Sequence, residues 1–237
     1  MRIALLNAEP EDLTLVPDAP SLGSLLLDFL QTADREFSAR LFDTSETAPP
    51  SPDSFDAFVI GGSPVDAFSK EPWVSRLRSH VRACYALNKK VVGICFGHQL
   101  IAQALGGRVE RSPEGWSAGP VENTLSASST PAWLRPAVPK FTLFNHHADQ
   151  VVSLPADAKT LASAPHCRHS MVLFGSRGLG IQGHPEFSSS HMQALLQSPK
   201  DPLPPDLRDS TLEKLRGHSQ TDSQIVGQWI LKFLQTD

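Results

Sequence analysis

The feature that most constrains the fold is a ten-residue run in the middle of the chain, Val91–Leu100. Its apolar start predicts a buried strand, and the pattern after the cysteine predicts a helix. Between the two lies Cys95, flanked by Gly93 and Gly97. A nucleophile on a tight strand-to-helix turn is the arrangement of the nucleophile elbow, in which small residues let the turn lift the side chain clear of the sheet. The run therefore predicts an α/β sheet with a reactive thiol at one strand end.

The predicted helix would also tune that thiol, because its first N–H groups point at the sulfur and favour the thiolate. Cys84 lies in a helical apolar pattern and Cys167 in a Pro/His/Arg loop, so we interpret both as packing residues. Three cysteines without paired spacing argue against a disulfide framework and indicate a reducing compartment. We expect a cytoplasmic protein, or alternatively a nucleocytoplasmic one.

Length and charge exclude several classes of partner. The 237 residues suit one sizeable domain, which we expect to span 1–237. A net charge of −4 gives no footprint for nucleic acid or for an anionic membrane surface. No apolar run approaches the roughly 18 residues that a membrane span needs. We therefore expect neither a nucleic acid nor a membrane as partner.

The order of patterns along the chain predicts the architecture. In the first half, strands at 2–7, 37–43, 55–60 and 90–94 alternate with helices at 22–30 and 73–88, which indicates a parallel sheet covered on both faces. In the second half strands follow one another closely, at 117–125, 140–145, 150–154, 158–164, 170–175 and 178–182. We expect a mostly parallel central sheet flanked by helices, with added edge strands and a small antiparallel ribbon. Residues 198–210 read as an irregular loop, and 224–235 as a final helix.

A nucleophilic thiol needs a base and a group that orients it. His184 follows a predicted strand and precedes a helical pattern, which is where open α/β sheets place their sites. Glu186 is two residues further on and could hold the imidazole in the required tautomer. Taken alone, His-x-Glu is more often a surface pair, but together with the elbow it indicates a base and its orienting carboxylate.

Main-chain N–H groups could stabilise a developing oxyanion. The N–H of Phe96 follows the nucleophile directly, and a second donor could come from Gly62 or Ser63 at the end of the third strand. The alternative for the Gly-Gly-Ser-Pro stretch is an ordinary turn. No cysteine or histidine cluster has metal-ligand spacing and no Gly-rich phosphate loop occurs, so we expect no metal and no cofactor.

These motifs resemble a known family. Gly93–Gln99 reads Gly-Ile-Cys-Phe-Gly-His-Gln, Gln182–Phe187 reads Gln-Gly-His-Pro-Glu-Phe, and Asn145–Val151 is similar to a His-x-Asp-x-Val segment. In their order along the chain, 93–99, then 145–151, then 182–187, they resemble the triad, or class I, glutamine amidotransferases. The stretch from Gly61 to Phe68 resembles the subgroup that includes the plant γ-glutamyl peptidases.

The resemblance implies a flavodoxin-like fold and a role for each matching residue. It implies Cys95 as nucleophile, His184 as base and Glu186 as its orienting group. It also implies that Gln99 grips the glutamyl end of the substrate, and that the segment 145–149, as a loop, adds contacts. Of that segment we name Asn145, His146 and His147 as substrate-binding residues, without assigning either histidine to proton transfer.

The implied function is hydrolysis of γ-glutamyl amide bonds through a thioester, with glutamine or a γ-glutamyl peptide as the small-molecule substrate. The chain could work alone as a γ-glutamyl peptide hydrolase or glutaminase. Alternatively it could be the ammonia-supplying glutaminase subunit of a separate synthase partner. A third alternative, a catalytically silent regulatory or partner-binding member of the fold, is less consistent with an intact Cys95, His184 and Glu186 set. The sequence leaves the choice of substrate open.

Overall fold

The computed structural model describes residues 1–17, 19–126, 130–217 and 220–236. Strands within these ranges are β1 (Ile3–Asn7), β2 (Arg40–Asp43), β3 (Ala57–Ile60), β4 (Lys90–Ile94), β5 (Arg108–Arg111), β6 (Ser117–Leu125), β7 (Lys140–His147), β8 (Asp149–Ser153), β9 (Ala158–Ala164), β10 (Cys167–Phe174) and β11 (Gly178–Ile181). Helices in the same ranges are α1 (Leu22–Ala33), α2 (Pro72–Ala86), α3 (Phe96–Ala104), α4 (Ser189–Gln197), α5 (Pro205–Gly217) and α6 (Ser223–Gln235).

One nine-stranded sheet runs through the molecule in the order β2-β1-β3-β4-β11-β10-β9-β6-β7. The first five of these strands are parallel, in the order typical of flavodoxin-like sheets, and the remaining four are joined by antiparallel pairing. β5 and β8 form a separate antiparallel pair. The predicted parallel sheet, its added edge strands and the small antiparallel ribbon are thus confirmed.

Apolar layers cover the two faces of the sheet. Along β1, Ile3 and Leu5 belong to the layer packed by α1 and α6, whereas Ala4 and Leu6 belong to the layer packed by α2 and α3. This alternation follows from the two-residue period of a strand. A third apolar cluster lies between α4 and α5 and contains Phe187. The central strands are therefore buried on both faces, and their ends are the places where polar groups can meet.

Several predicted boundaries agree with the structure, two predicted loops are wrong at least in part, and Cys167, also predicted in a loop, is the first residue of β10. Ser21 caps α1 by accepting from the Ser24 N–H at 3.2 Å. The loop predicted for 198–210 is wrong from Pro205 onward, because α5 begins there, where proline favours the first helical position. α5 buries only Thr211 and Leu215, so its apolar period is weak.

The second error concerns residues 145–149, which the sequence predicted as a loop. β7 continues to His147 and β8 begins at Asp149, because β6 pairs with β7 without a break from Ser117–His147 to Thr124–Lys140. Only Ala148 separates the two strands. The side chains of this segment are consequently fixed by sheet geometry, and they point alternately to opposite faces.

Candidate active site

The elbow predicted around Cys95 is present. β4 ends at Ile94, α3 begins at Phe96, and Cys95 has φ 49° and ψ −101° between them. A positive φ at a non-glycine residue costs about 1–3 kcal/mol and persists only where the surroundings enforce it. Here a Cβ on Gly93 would lie 2.3 Å from the carbonyl carbon of Gly97, so the turn is closed too tightly for any side chain. The strain is therefore built into the backbone that presents the sulfur.

His184 and Glu186 form a buried pair beside this elbow. The main-chain N–H of His184 donates to the Phe144 carbonyl at 2.8 Å, which ties the residue to β7. Nδ1 of the ring lies 2.7 Å from Oε1 of Glu186, and their side chains are 4% and 0% exposed. Phe187 stacks on the imidazole with the ring centres 4.0 Å apart. The contact at Nδ1 and the stacked Phe187 ring together hold the imidazole in one orientation.

The electrostatics of this pair favour the imidazolium form. Burial by itself would lower the pKa of His184, but the Glu186 carboxylate and the hydrogen-bonded Cys95 outweigh it and raise the pKa to about 10. At neutral pH His184 therefore carries a proton in the folded protein. A protonated imidazole beside a cysteine can supply that proton to a leaving group.

One cavity of about 360 Å³ joins the predicted residues. The predicted site residues that line it are Ser63, Cys95, Phe96, Gln99, His146, His147 and His184. Gly62 lies beside the catalytic candidates, since a Cβ built on it would be 3.1 Å from Cε1 of His184. Glu186 and Asn145 do not line the cavity, but they contact His184 and His147, which do. We use the name inner wall for Cys95 and His184, which line the cavity, together with Gly62, Gln182 and Glu186, which lie directly against one or other of them.

Gln99, Asn145 and His147 belong to one buried hydrogen-bond network. The Asp149 carbonyl accepts from Gln99 Nε2 at 2.8 Å and lies 3.0 Å from His147 Nδ1. Since a carbonyl can only accept, the proton of a neutral His147 is assigned to Nδ1, and Nε2 then accepts from Asn145 Nδ2 at 3.2 Å. Burial lowers the pKa of His147 to about 4, which keeps the ring neutral.

His146 faces a different partner. Its Nε2 lies 3.0 Å from Oδ1 of Asp201, and Trp116 packs on the ring with centres 5.2 Å apart. The Leu203 N–H donates to the same carboxylate oxygen at 3.0 Å. His146 thereby joins the end of β7 to the segment that follows α4.

Sequence reasoning missed two groups at the cavity. Nε2 of Gln182, a residue inside the quoted Gln-Gly-His-Pro-Glu motif, lies 3.5 Å from Sγ of Cys95. Asp149 also lines the cavity, with its carboxylate 2.6 Å from Nε of Arg111. Burial and the neighbouring Asp66 raise the pKa of Asp149 to about 7, although Arg111 opposes this. The quoted motif contains Gln182 and could have indicated it. No pattern in the sequence indicates that Arg111 and Asp66 lie beside Asp149.

Another part of the cavity lining comes from segments outside the strands and α-helices. Residues 13–16, Lys200 and Pro202 line it, and we call them the outer wall. The Ser198 hydroxyl and the Lys200 ammonium donate to main-chain carbonyls within 13–16, the latter at 3.2 Å. These bonds join positions more than 180 residues apart in the chain. The outer wall is therefore a contact between the N-terminal loop and the segment after α4.

No described helix combines the length and the apolar character needed to cross a bilayer. Within the same residues, no group of three or more His, Cys, Asp or Glu side chains is arranged to hold a metal ion.

The parallel sheet, the cysteine elbow and the neighbouring His–Glu pair define an α/β protein with a thiol-centred candidate site. The family model "Glutamine amidotransferase class-I" matches residues 20–198. The chain belongs to the class I glutamine amidotransferase family.

Individual relatives agree with that assignment. Gamma-glutamyl peptidase 5 of Arabidopsis thaliana is 37% identical over 139 residues, which cover 57% of this chain and 55% of the peptidase. A Leptospira interrogans protein described as a glutamine-hydrolyzing GMP synthase is 32% identical over 143 residues, covering 60% of this chain and 23% of that protein. The crystal structure of a glutamine amidotransferase from Thermotoga maritima has a TM-score of 0.74 at 17% identity and covers 99% of this chain and 98% of that one. The match to the peptidase spans just over half of its length.

Proposed function

We propose that this protein hydrolyses γ-glutamyl amide bonds, with Cys95 as nucleophile, His184 as acid and base, and Glu186 as the group that orients His184. The observation that carries the proposal is the buried His184–Glu186 pair, 2.7 Å between Nδ1 and Oε1, whose imidazole lines one cavity with a cysteine held at positive φ. Family membership supports the same chemistry. Because the nine-stranded sheet draws strands from both halves of the sequence, we propose that 1–237 act as one catalytic unit.

In the acylation step the Cys95 thiolate attacks the γ-carbonyl carbon, and the C=O electron pair moves to oxygen. The raised pKa of His184 supports an imidazolium as the resting form, so a proton is available for the leaving nitrogen. When the tetrahedral intermediate collapses, the C–N bond breaks and the protonated amine leaves. A γ-glutamyl thioester on Cys95 and a neutral His184 remain.

The oxyanion of that intermediate needs donors. We assign them to the N–H of Phe96, at the N-terminus of α3, and to an N–H from Gly62 or Ser63. Phe96 and Ser63 line the cavity, and Gly62 lies against the His184 ring. Loss of one such donor typically costs about a hundred- to a thousandfold in rate.

Deacylation reverses the proton movement. A water molecule gives a proton to the neutral His184 and attacks the thioester carbonyl, and collapse expels the Cys95 thiolate. Glutamate leaves and the starting ion pair is restored. Each step requires a free thiol, so we propose a reducing compartment such as the cytoplasm.

For the substrate we propose γ-glutamyl peptides rather than free glutamine. The cavity extends from Cys95 to the outer wall, so a group attached to the leaving nitrogen has a surface to contact. The relative named as a gamma-glutamyl peptidase supports this choice.

The test is to measure glutamate release from glutamine beside a series of γ-glutamyl dipeptides, with ammonia measured in parallel. We expect a higher kcat/KM for the dipeptides, with the free amino acid released in equal amount to glutamate. A clear preference for glutamine would contradict the substrate assignment.

The second candidate is a glutaminase that supplies ammonia to a separate synthase. The match to a protein described as a glutamine-hydrolyzing GMP synthase favours it. In that case ammonia release from glutamine should rise when a purified synthase partner and its acceptor are added. The dipeptide series then shows no advantage.

A further inference from the structure

Gln182 has no role in the chemistry described so far, although it touches the sulfur. Its side chain is fully buried at the end of β11, two residues before His184. Its Nε2 lies 3.5 Å from Sγ of Cys95, within the range of a hydrogen bond to sulfur. A buried amide has two chemically different ends, and which end meets the sulfur decides whether it stabilises a thiolate or repels it.

The surrounding hydrogen bonds determine that orientation. The Asp149 carbonyl can only accept, so the group of Gln99 that lies 2.8 Å from it must be the NH₂ end. The same NH₂ group lies 3.1 Å from Oε1 of Gln182. The oxygen of Gln182 is thereby directed to Gln99, and its NH₂ group is directed to Cys95. One main-chain carbonyl thus sets the direction of two successive amides.

The consequence is a neutral donor aimed at a buried sulfur. Hydrogen bonds to an ionised group are stronger than those between neutral groups, and they favour the ionised form. Without Gln99, Gln182 could rotate about its last bond and present its oxygen to the sulfur. That arrangement disfavours a thiolate, because two electron-rich atoms would face each other.

We propose that Gln182 stabilises the Cys95 thiolate by donating to it, and that Gln99 is a positioning residue which acts through Gln182. This rests on the proposed role of Cys95 as nucleophile. It also gives Gln99 a task other than the grip on the substrate that the family resemblance implied.

The test is the pH dependence of alkylation of Cys95 by iodoacetamide, measured by mass spectrometry of the Cys95 peptide. We expect Gln182→Met to move the midpoint of the rate profile upward by about one pH unit, with a roughly tenfold slower reaction below it. Gln99→Met should move it in the same direction by less. Gln103→Met, a half-buried substitution on the same helix α3, is the matched control and should leave the midpoint in place.

The double variant Gln99→Met/Gln182→Met tests whether Gln99 acts through Gln182 or independently of it. If Gln99 acts only through Gln182, then Gln99→Met adds nothing in the Gln182→Met background. Additive shifts would show that Gln99 acts on Cys95 by another route. Should Gln182→Met not fold, Gln182→Glu keeps the shape and replaces the donor with an acceptor, and it should raise the midpoint still further.

An unchanged midpoint in the folded Gln182 variant overturns the proposal. So does a Gln99→Met variant that raises the KM for a γ-glutamyl substrate while its alkylation profile matches that of the wild type. Alkylation requires no substrate, so the two proposals fail separately. A shifted midpoint in a protein without γ-glutamyl hydrolysis contradicts the proposed function alone.

Discussion

The two walls of the cavity are built in different ways. The inner wall is attached to the ends of adjacent parallel strands, and main-chain bonds such as Cys95 N–H to Ile181 carbonyl, 2.8 Å, hold it. The outer wall consists of loops, and the bonds identified between its two segments run from the Ser198 and Lys200 side chains to main-chain carbonyls. Rigid strand ends suit groups that must keep catalytic distances, whereas loops can change with the substrate. We therefore expect substitutions in the inner wall to change the rate of the chemistry and those in the outer wall to change substrate preference.

The largest effect is expected from Cys95→Ala. Without the sulfur no thioester can form, and removal of a nucleophile of this kind costs on the order of 10⁴-fold or more in kcat. Glutamate release from a γ-glutamyl dipeptide is the measurement. Cys84→Ala is the matched control, because burial raises the pKa of the Cys84 thiol to about 12 and leaves it inert. Normal turnover by Cys95→Ala would contradict the assignment of the inner wall.

The second largest effect is expected from Glu186→Gln, a loss of about 10²–10⁴-fold in kcat/KM. The amide keeps the shape of the carboxylate but removes the charge that raises the pKa of His184. His184 then loses its proton at lower pH than in the wild type. The alkaline limb of the kcat/KM profile should accordingly move to lower pH.

That profile is measured from pH 5 to beyond about pH 10, the value to which the pKa of His184 is raised in the wild type. An alkaline limb at the same pH in both proteins would show that Glu186 does not control the imidazolium. Melting temperatures of the two proteins separate this effect from loss of folded protein.

Gly62→Ala tests how closely the inner wall is packed. The added Cβ would lie 3.1 Å from Cε1 of His184 and 3.3 Å from Cδ1 of Leu22, so the imidazole must shift. A small displacement of a catalytic group can cost about ten- to a hundredfold in kcat. The neighbouring Gly61→Ala is the control, since its Cβ would meet the nearest atoms at 3.8 Å, an ordinary contact. Equal activities of the two variants would show that the position of the ring is not limiting.

The smallest effect is expected in the outer wall. Lys200→Met removes the bond to the Thr14 carbonyl, an exposed interaction of the kind that contributes little to stability. We expect KM for γ-glutamyl dipeptides to rise by about two- to fivefold, while kcat is unchanged. Steady-state kinetics on dipeptides and on glutamine provide the measurement. A fall in kcat for both substrates would contradict the expectation that the outer wall affects substrate preference and not the rate of the chemistry.

The sequence predicted the inner wall better than the outer wall for a physical reason. Cys95 lies within one contiguous strand–turn–helix pattern, and His184 and Glu186 lie within one short motif, so their local geometry is encoded by neighbours in the chain. The bond of Gln182 to Cys95 joins residues 87 positions apart, and the sequence alone does not indicate which residue Gln182 contacts. The bond from Lys200 to the Thr14 carbonyl spans 186 positions.

Errors in secondary structure have similar causes. The first part of α5, residues 205–210, was predicted as a loop because three prolines at 202, 204 and 205 outweighed the spacing of Leu207, Thr211 and Leu215. The segment with His146 and His147 was predicted as a loop because its polar composition hides a strand whose pairing partner, β6, lies elsewhere in the chain.

Labelling with a chloromethyl ketone analogue of glutamine tests the central claim most directly, because it requires both a reactive sulfur and recognition of the glutamyl group. The prediction is one adduct per chain, located on Cys95 by peptide mass spectrometry, formed more slowly in the presence of a γ-glutamyl dipeptide. Adducts on Cys84 or Cys167, or a labelling rate that a γ-glutamyl compound does not change, would contradict it.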